Sequence, residues 1–194
     1  MKFHLILLSF LLLWTKTNAQ NTVFWDGEYK LQLSDFQSPA SQIGDVTVYS
    51  LSSAAFIDFS FYMTNGEFMF TKNFNSKVSA VFKRDASALV APDSIIASDI
   101  LNYANYTFDL VELYARKFRK RLFEEKGAFS SVSFFKPVYD EIQKEFSERH
   151  TTSAKETDMG RNKEKLSVLH SIVLTEMEQY PDFCRSCQPK KRKK

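Results

Sequence analysis

An apolar stripe with helical spacing, between Leu101 and Leu122, constrains the fold more than any other feature of the sequence. Its members recur at alternating intervals of three and four residues, which places them on one face of an α-helix. The pattern therefore predicts a helix of about six turns, which ends by Gly127. The stripe consists of Leu101, Ala104, Phe108, Val111, Ala115, Phe118 and Leu122.

Basic residues are concentrated in the second half of this helix, away from the stripe. A charged row opposite an apolar stripe is typical of a helix face in contact with solvent, and we interpret this row in that way. Glu112 precedes Arg116 by one helical turn, so the two side chains are expected to form an ion pair. The row consists of Arg116, Lys117, Arg119, Lys120 and Arg121.

Apolar and polar residues alternate in the first half of the chain, with the period of two that is typical of strands. Asn65-Gly66 stands between two alternating runs, residues 57–63 and 68–70. This dipeptide in this setting predicts a hairpin turn. An antiparallel sheet with one buried face is the expected result. Further strands are predicted at residues 45–51 and 78–82.

Two further helices are predicted after the long one. The first starts near Pro137 and runs through Phe146, and the second runs from Leu166 to Tyr180. Residues 150–162 between them form a polar stretch that contains Gly160. Strands first and helices afterwards indicate the α+β class, with an N-terminal antiparallel sheet and a helical half built around a long central helix.

The N-terminus has the three-part pattern of a signal peptide. Lys2 supplies the basic start, residues 5–14 form an apolar run too short to cross a bilayer, and Thr17-Asn18-Ala19 is a cleavage site. We predict that residues 1–19 are a cleaved leader, that the protein is exported to the periplasm or the cell exterior, and that residues 20–183 form one domain. Apart from the leader and the last five residues the chain is mildly acidic, which argues against binding of nucleic acid.

Residues 184–194 combine a Cys-x-x-Cys pair with a basic tail. In an oxidising compartment Cys184 and Cys187 are expected to form a local disulfide, with a redox-active pair and a soft-metal site as alternatives. We interpret the tail as a solvated end, with contact to an anionic lipid or an envelope polymer as the functional alternative. The tail consists of Lys190, Lys191, Arg192, Lys193 and Lys194.

The predicted central helix resembles that of a known family. Residues 101–117 read LNYANYTFDLVELYARK and are similar to the centre of the bacterial secreted zinc-dependent protease-like family, domain of unknown function 922. That family shows His-Glu-x-x-His, then Phe-Asp-Ile/Leu and Glu-x-x-Ala-Arg, with Leu-x-Trp-x-Asp-Phe upstream and Thr-x-His-Gly downstream. Residues 31–36 (LQLSDF) and 156–160 (ETDMG) resemble the two flanking segments. The resemblance covers nearly the whole chain after the leader and implies a zincin-like domain.

The metal-site positions of that family are replaced in this chain. A zincin uses two histidines one helical turn apart as zinc ligands and the glutamate between them as general base. The match places Tyr103 and Thr107 at the histidines, Ala104 at the glutamate and Met159 at the downstream histidine, a plausible third ligand. A phenol, a hydroxyl and a thioether are poor zinc ligands, so we predict that the zinc expected of the family is lost. The flanking positions that do match are Phe108, Asp109, Glu112, Ala115 and Arg116.

The sequence offers little from which a metal site could be rebuilt. After the leader it has two histidines. We interpret His150, in a charged stretch, as a surface residue and His170 as a helix-flank residue. Asp109 and Glu112 lie one turn apart and could form a residual polar site or part of a pocket, although Glu112 is expected to pair with Arg116.

The sequence thus favours an exported, catalytically inactive zinc-peptidase-like protein that binds a peptide or an envelope protein. Zincin clefts hold peptides by strand addition, which needs no zinc, so binding could persist without the metal. The pocket would be lined by the four replaced positions. One alternative is an active metallopeptidase with non-standard ligands such as Asp109 or Glu112. The other is an envelope-associated structural or adhesive protein that acts through the basic tail and the Cys-x-x-Cys pair.

Overall fold

The computed structural model describes residues 21–59, 62–127, 129–131 and 133–189. The predicted leader, residues 1–19, and the basic tail, residues 190–194, lie outside the described residues. Among the helices that the structure describes, none is both long enough and apolar enough to cross a membrane.

Two small sheets form the first half of the described chain. In the first, the central strand β5 pairs antiparallel with β1 on one side and β4 on the other. In the second, β6 pairs with β2 in parallel and with β3 antiparallel. The strands are β1 (Thr22–Phe24), β2 (Gln42–Ile43), β3 (Ser50–Ser52), β4 (Ala55–Phe59), β5 (Val78–Lys83) and β6 (Ala88–Ala91). The strand predicted at residues 78–82 is confirmed, whereas the one predicted at 45–51 is present only at its end, as β3.

The predicted hairpin at Asn65-Gly66 is wrong, because these two residues open a short helix, α1 (Asn65–Phe70). The competing signal is a capping box. The Thr64 hydroxyl accepts a hydrogen bond from the Glu67 amide at 3.2 Å, and the Glu67 carboxylate accepts one from the Thr64 amide at 2.7 Å. These two bonds satisfy amides that a helix leaves free at its start.

The helical half contains α2 (Ser94–Glu125), α3 (Phe135–Thr157) and α4 (Lys163–Glu178). The long helix predicted from the apolar stripe is confirmed as α2, which starts where the Asp93 carboxylate caps the amides of Ile95 and Ile96. The third predicted helix is confirmed as α4. The second predicted helix is present as α3, which continues through most of the polar stretch to Thr157.

The core is centred on α2, which packs against β4, β5 and β6 on one side and against α3 and α4 on the other. Edge-to-face ring pairs join the first sheet to the helix: the Phe59 and Phe118 centroids lie 5.1 Å apart, and such pairs add to the stability that burial provides. The described chain is therefore a mixed α and β fold, with a small antiparallel sheet near the N-terminus and a helical C-terminal half.

The sequence predicted that the basic row on α2 faces solvent. This is wrong for Arg119, which is fully buried. Its guanidinium donates to both carboxylate oxygens of Glu112, at 2.8 and 3.2 Å. It also donates to the carbonyl oxygens of Val78 and Phe183. Arg119 thereby ties β5 and the C-terminal segment to the central helix. The predicted pair of Glu112 and Arg116 is confirmed, at 3.0 Å.

Candidate functional site

The positions that match the family's metal site lie inside the core on α2. Tyr103, Ala104 and Thr107 are almost completely buried. The Tyr103 hydroxyl is 3.1 Å from the carbonyl oxygen of His150, to which it donates, and 3.1 Å from the Ser153 hydroxyl. Tyr103 thus packs against α3. Because all three side chains are almost completely buried, they do not line the open pocket that the sequence predicted.

The buried side chain of Tyr103 is a poor metal ligand. Burial raises the pKa of Tyr103 to about 12, so the group is a neutral phenol at physiological pH, whereas a metal binds the deprotonated form. Met159, the remaining matched position, packs against the core with its thioether side chain partly buried. Among the described residues there is no group of three or more His, Cys, Asp or Glu side chains placed to hold a metal ion.

The three segments that carry the family resemblance meet on α2. The Asn105 side chain accepts a hydrogen bond from the Leu31 amide at 2.8 Å and donates one to the Leu31 carbonyl at 3.1 Å. The upstream segment is thus bound to α2 two residues beyond Tyr103. Gly160, in the downstream segment, lies so close to α2 that an added Cβ would be 3.1 Å from the Cβ of Tyr103. The positions matched to the first histidine and the downstream element are therefore neighbours in space.

The downstream segment approaches α2 through a turn whose residues have left-handed backbone conformations. Asp158, Met159 and Gly160 have φ values of 48°, 50° and 99°, a region that favours glycine. The Tyr49 hydroxyl donates to the Asp158 carboxylate at 2.7 Å, and Arg161 donates to both groups at 3.0 Å. The turn therefore connects the region before β3 to the ends of α3 and α4.

A buried carboxylate, Asp109, contacts polar side chains from the segment after β1 and from α4. Its Oδ1 accepts a hydrogen bond from Trp25 Nε1 at 2.6 Å, and its Oδ2 lies 2.7 Å from His170 Nε2 and 3.4 Å from Lys30 Nζ. Burial disfavours the charged form of Asp109, but the hydrogen bonds from His170 and Trp25 and the charge of Lys30 outweigh it, so the pKa of Asp109 is lowered. The carboxylate therefore remains ionised and fixes the orientation of the His170 ring.

An open groove of about 530 Å³ lies beside this cluster. Its walls come from α2, α4 and the segment after β1, and the Asp109-bound His170 is part of the lining. A cation at the rim, Lys163, is paired with Asp99 at 2.9 Å. The groove thus combines apolar walls with several hydrogen-bonding groups. The lining includes Lys30, Leu101, Asn102, Lys163, Ser167 and His170.

Asp109 and Glu112, one turn apart on α2, have different hydrogen-bond partners, and Glu112 lines a second cavity together with Trp25 and Arg116. Asp109 contacts His170 and Trp25, whereas Glu112 is held between the guanidinium groups of Arg116 and Arg119. Glu112 has the role of a buried counter-ion, and Asp109 has the role of a residue that positions His170.

Sequence reasoning did not identify the contact between His170 and Asp109. A signal for it exists in α4: Leu166, His170, Val173 and Met177 recur at intervals of four, three and four residues. His170 therefore occupies a position of the inward stripe, where a titratable side chain needs a partner. The partner itself lies 61 residues away in the sequence, and no local pattern indicates it.

His150 is a half-buried residue and not the surface residue predicted. Its ring stacks on Phe146, with centroids 5.6 Å apart, and lies 5.9 Å from the ring of Tyr103. Burial lowers the pKa of His150, because a low-dielectric setting disfavours the imidazolium.

His150→Phe is expected to weaken the acid dependence of stability. The unfolded chain binds the His150 proton more tightly than the folded chain, so wild-type stability falls as pH drops through about 6.5 towards the lower folded pKa. Phenylalanine keeps a ring on Phe146 and does not titrate. Urea denaturation at several pH values measures the free energy of unfolding. Below neutrality this free energy should fall less with decreasing pH in the variant than in the wild type, and above neutrality the two should change in parallel. The same loss in both proteins would contradict the expectation.

Cys184 and Cys187 form a disulfide, with Cα atoms 5.0 Å apart. The Cys187 carbonyl accepts hydrogen bonds from the side chains of Asn73 and Asn75, at 3.2 and 2.9 Å. The bridged turn is therefore attached to the segment that joins α1 to β5.

No protein-family model, no curated protein and no solved structure matches this chain.

Proposed function

We propose that the protein is an exported, non-catalytic member of the zinc-dependent protease-like family that binds a peptide segment in the groove beside His170. In this proposal residues 1–19 direct export, and the family's central helix persists as a scaffold after loss of the metal site. The ligand is a peptide or an exposed segment of an envelope protein.

One observation supports the proposal most: the segments that resemble the family meet on α2, while the residues at the matched metal-site positions are buried. Residues 31–36 and 156–160 both contact α2 within the stretch that resembles the family's motif, through Leu31 with Asn105 and through Gly160 with Tyr103. A chance match of three short sequences would not require them to meet in space. At the same place Tyr103, Ala104 and Thr107 serve packing and supply neither zinc ligands nor a general base.

The size and lining of the groove support its use as a ligand site. Its volume of about 530 Å³ is within the range of about 300–1,000 Å³ that is usual for ligand sites. Leu101 and Leu166 offer apolar contacts, while Asn102 and His170 offer polar groups that could pair with peptide amides and carbonyls. His170 is held by Asp109, so part of the site is ordered before a ligand binds.

The metallopeptidase alternative has weaker support. His170 already uses Nε2 in its contact with Asp109, and His150 is stacked on Phe146. The other groups around Asp109 are the indole of Trp25 and the ammonium of Lys30, and neither is a metal ligand.

Filling the groove is expected to abolish peptide binding. Short peptides would be selected from a random phage-displayed library on the chain that starts at Gln20, then synthesised with a fluorophore and titrated by anisotropy. Ser167→Trp places a bulky ring in the groove from an exposed position on α4 and should raise Kd at least about tenfold. Ser147→Trp, at an exposed position on α3 outside the groove, is the matched control and should leave Kd unchanged.

Equal Kd values for the two tryptophan variants would place the peptide elsewhere and contradict the proposal. Failure to select any peptide that binds in solution would also contradict it. Circular dichroism of both variants establishes that a change in Kd reflects the groove and not loss of the fold.

A further inference from the structure

The second cavity, of about 610 Å³, lies between the residues after β1, α2 and the disulfide-bonded turn. Two arginines line it, Arg116 from α2 and Arg185 from the turn. Each guanidinium lies over an aromatic ring: Arg185 is 4.6 Å from the ring centroid of Phe24, and Arg116 is 5.4 Å from that of Trp25. Such contacts position a guanidinium through its face and leave the N–H groups at its edge for hydrogen bonds.

Both arginines retain N–H donors that the protein does not use. Arg116 donates from Nε to the Glu112 carboxylate at 3.0 Å and from Nη1 to the Met177 carbonyl at 3.2 Å. Its Nη2 has no hydrogen-bond partner among the described residues, and the same holds for every N–H group of Arg185. Because an arginine carries five N–H donors in a planar fork, the cavity has several donors available for a ligand.

The charges around the second cavity do not balance. The buried Glu112 is shared by Arg116 and the fully buried Arg119, so this group of three carries one excess positive charge. Arg185 adds another, while the exposed Asp26 supplies one negative charge. A positive charge that is removed from water needs a counter-charge. The lining therefore favours an anionic ligand.

We propose that the second cavity binds the phosphate group of a small organic phosphate monoester. The two oxygens of a carboxylate are satisfied by one arginine fork, whereas the three acceptor oxygens of a phosphate provide partners for two forks. The hydroxyls of Ser76 and Ser186, which also line the cavity, are further donors. The volume exceeds what a phosphate alone requires, so the Trp25 ring and the remaining space are available to the organic part of the ligand.

The disulfide helps to hold Arg185 at the cavity. Arg185 lies between the two bridged cysteines, and the Cys187 carbonyl accepts hydrogen bonds from the side chains of Asn73 and Asn75. The turn is thereby ordered before a ligand binds, which lowers the entropic cost of binding. The residues that line this cavity differ from those of the groove beside His170, so the proposal does not rest on the proposed function.

Binding would be measured by isothermal titration calorimetry with phenyl phosphate, on the chain that starts at Gln20. At about pH 7.5 a phosphate monoester is largely dianionic, and benzoate serves as the carboxylate probe of similar shape. Arg185→Gln removes one fork at an exposed position, and circular dichroism checks that the fold is retained. Arg161→Gln is the matched control, since Arg161 is exposed and lies over the Tyr49 ring outside the cavity.

The wild type and Arg161→Gln are expected to bind phenyl phosphate with the same Kd, and Arg185→Gln should raise Kd at least about tenfold. Replacing both cysteines with serine should raise Kd at least about threefold, because Arg185 is then less ordered. A chain that ends at Pro189 should bind as the wild type does, which separates the cavity from the basic tail.

Three results would overturn the proposal. The first is no binding of phenyl phosphate by the wild type, or an unchanged Kd in Arg185→Gln. The second is benzoate binding as tight as that of phenyl phosphate, which would indicate a carboxylate ligand. The third is loss of binding in the chain that ends at Pro189, which would place the phosphate on the basic tail.

Discussion

Gly160→Ala is expected to lower the free energy of unfolding by about 3–5 kcal/mol. A Cβ at this position would lie 2.2 Å from the Asp99 carbonyl oxygen and 2.9 Å from its carbon. Both atoms belong to the backbone of α2 and cannot rotate away. In addition, Gly160 has a φ of 99°, which other residues rarely adopt. The turn would have to leave α2, and the contact between the downstream segment and Tyr103 would be lost.

The matched control for this change is Gly44→Ala. Gly44 has a similar φ of 90°, but an added Cβ would have no neighbour within 4 Å. Its cost should therefore be that of backbone strain alone, about 1 kcal/mol. Urea denaturation followed by circular dichroism measures both. Similar losses in the two variants would mean that Gly160 is required for its backbone conformation and not for its close approach to α2.

Glu112→Gln is expected to destabilise the protein by about 3–5 kcal/mol. The amide is nearly the same size as the carboxylate, so packing changes little. The fully buried Arg119 would, however, lose the negative charge that lies 2.8 Å from its Nη1. An unpaired charge inside a protein is costly because water can no longer solvate it.

Glu125→Gln provides the same chemical change on the same helix in a solvent-exposed pair. Its partner Arg121 is 2.7 Å away, but both side chains are substantially exposed. Exposed pairs contribute about 0–1 kcal/mol, so this variant should unfold almost as the wild type does. A loss for Glu112→Gln as small as the loss for Glu125→Gln would show that the Arg119 charge is accommodated by the Val78 and Phe183 carbonyls alone.

Features that depend on many residues of one segment could be predicted from the sequence. The stripe from Leu101 to Leu122 predicted α2 because its spacing repeats over about six turns. A single residue that departs from the spacing would not have changed the prediction. The hairpin at Asn65-Gly66 failed because two patterns overlap there. The alternating phenylalanines favour strands, whereas Thr64 and Glu67 form a capping box, and the local hydrogen bonds of the box prevailed in the fold.

Features that depend on distant partners could not be predicted. Arg119 lies four residues after Ala115, within the arc of the apolar stripe, but its partners Val78 and Phe183 are distant in the sequence and no local pattern indicates them. His170 and Asp109 lie on different helices. The candidate groove arises from such contacts between elements, so the residues around it were not identified as a set.

Tyr103 stabilises the contact of α2 with α3 through hydrogen bonds to the Ser153 hydroxyl and the His150 carbonyl. Replacing Tyr103 with histidine would remove the phenol that makes those bonds. A metal site engineered at this position would therefore need changes in α3 as well as in α2.

The zinc content of the chain that starts at Gln20 tests the central claim most directly. The protein would be purified without a histidine tag, incubated with zinc, desalted and measured by plasma mass spectrometry. We expect less than about 0.1 equivalent of zinc, because Tyr103, Thr107 and Met159 are poor zinc ligands and Ala104 has no donor atom. About one equivalent, lost in both His170→Ala and Asp109→Asn, would contradict the claim and identify the cluster around Asp109 as a working metal site.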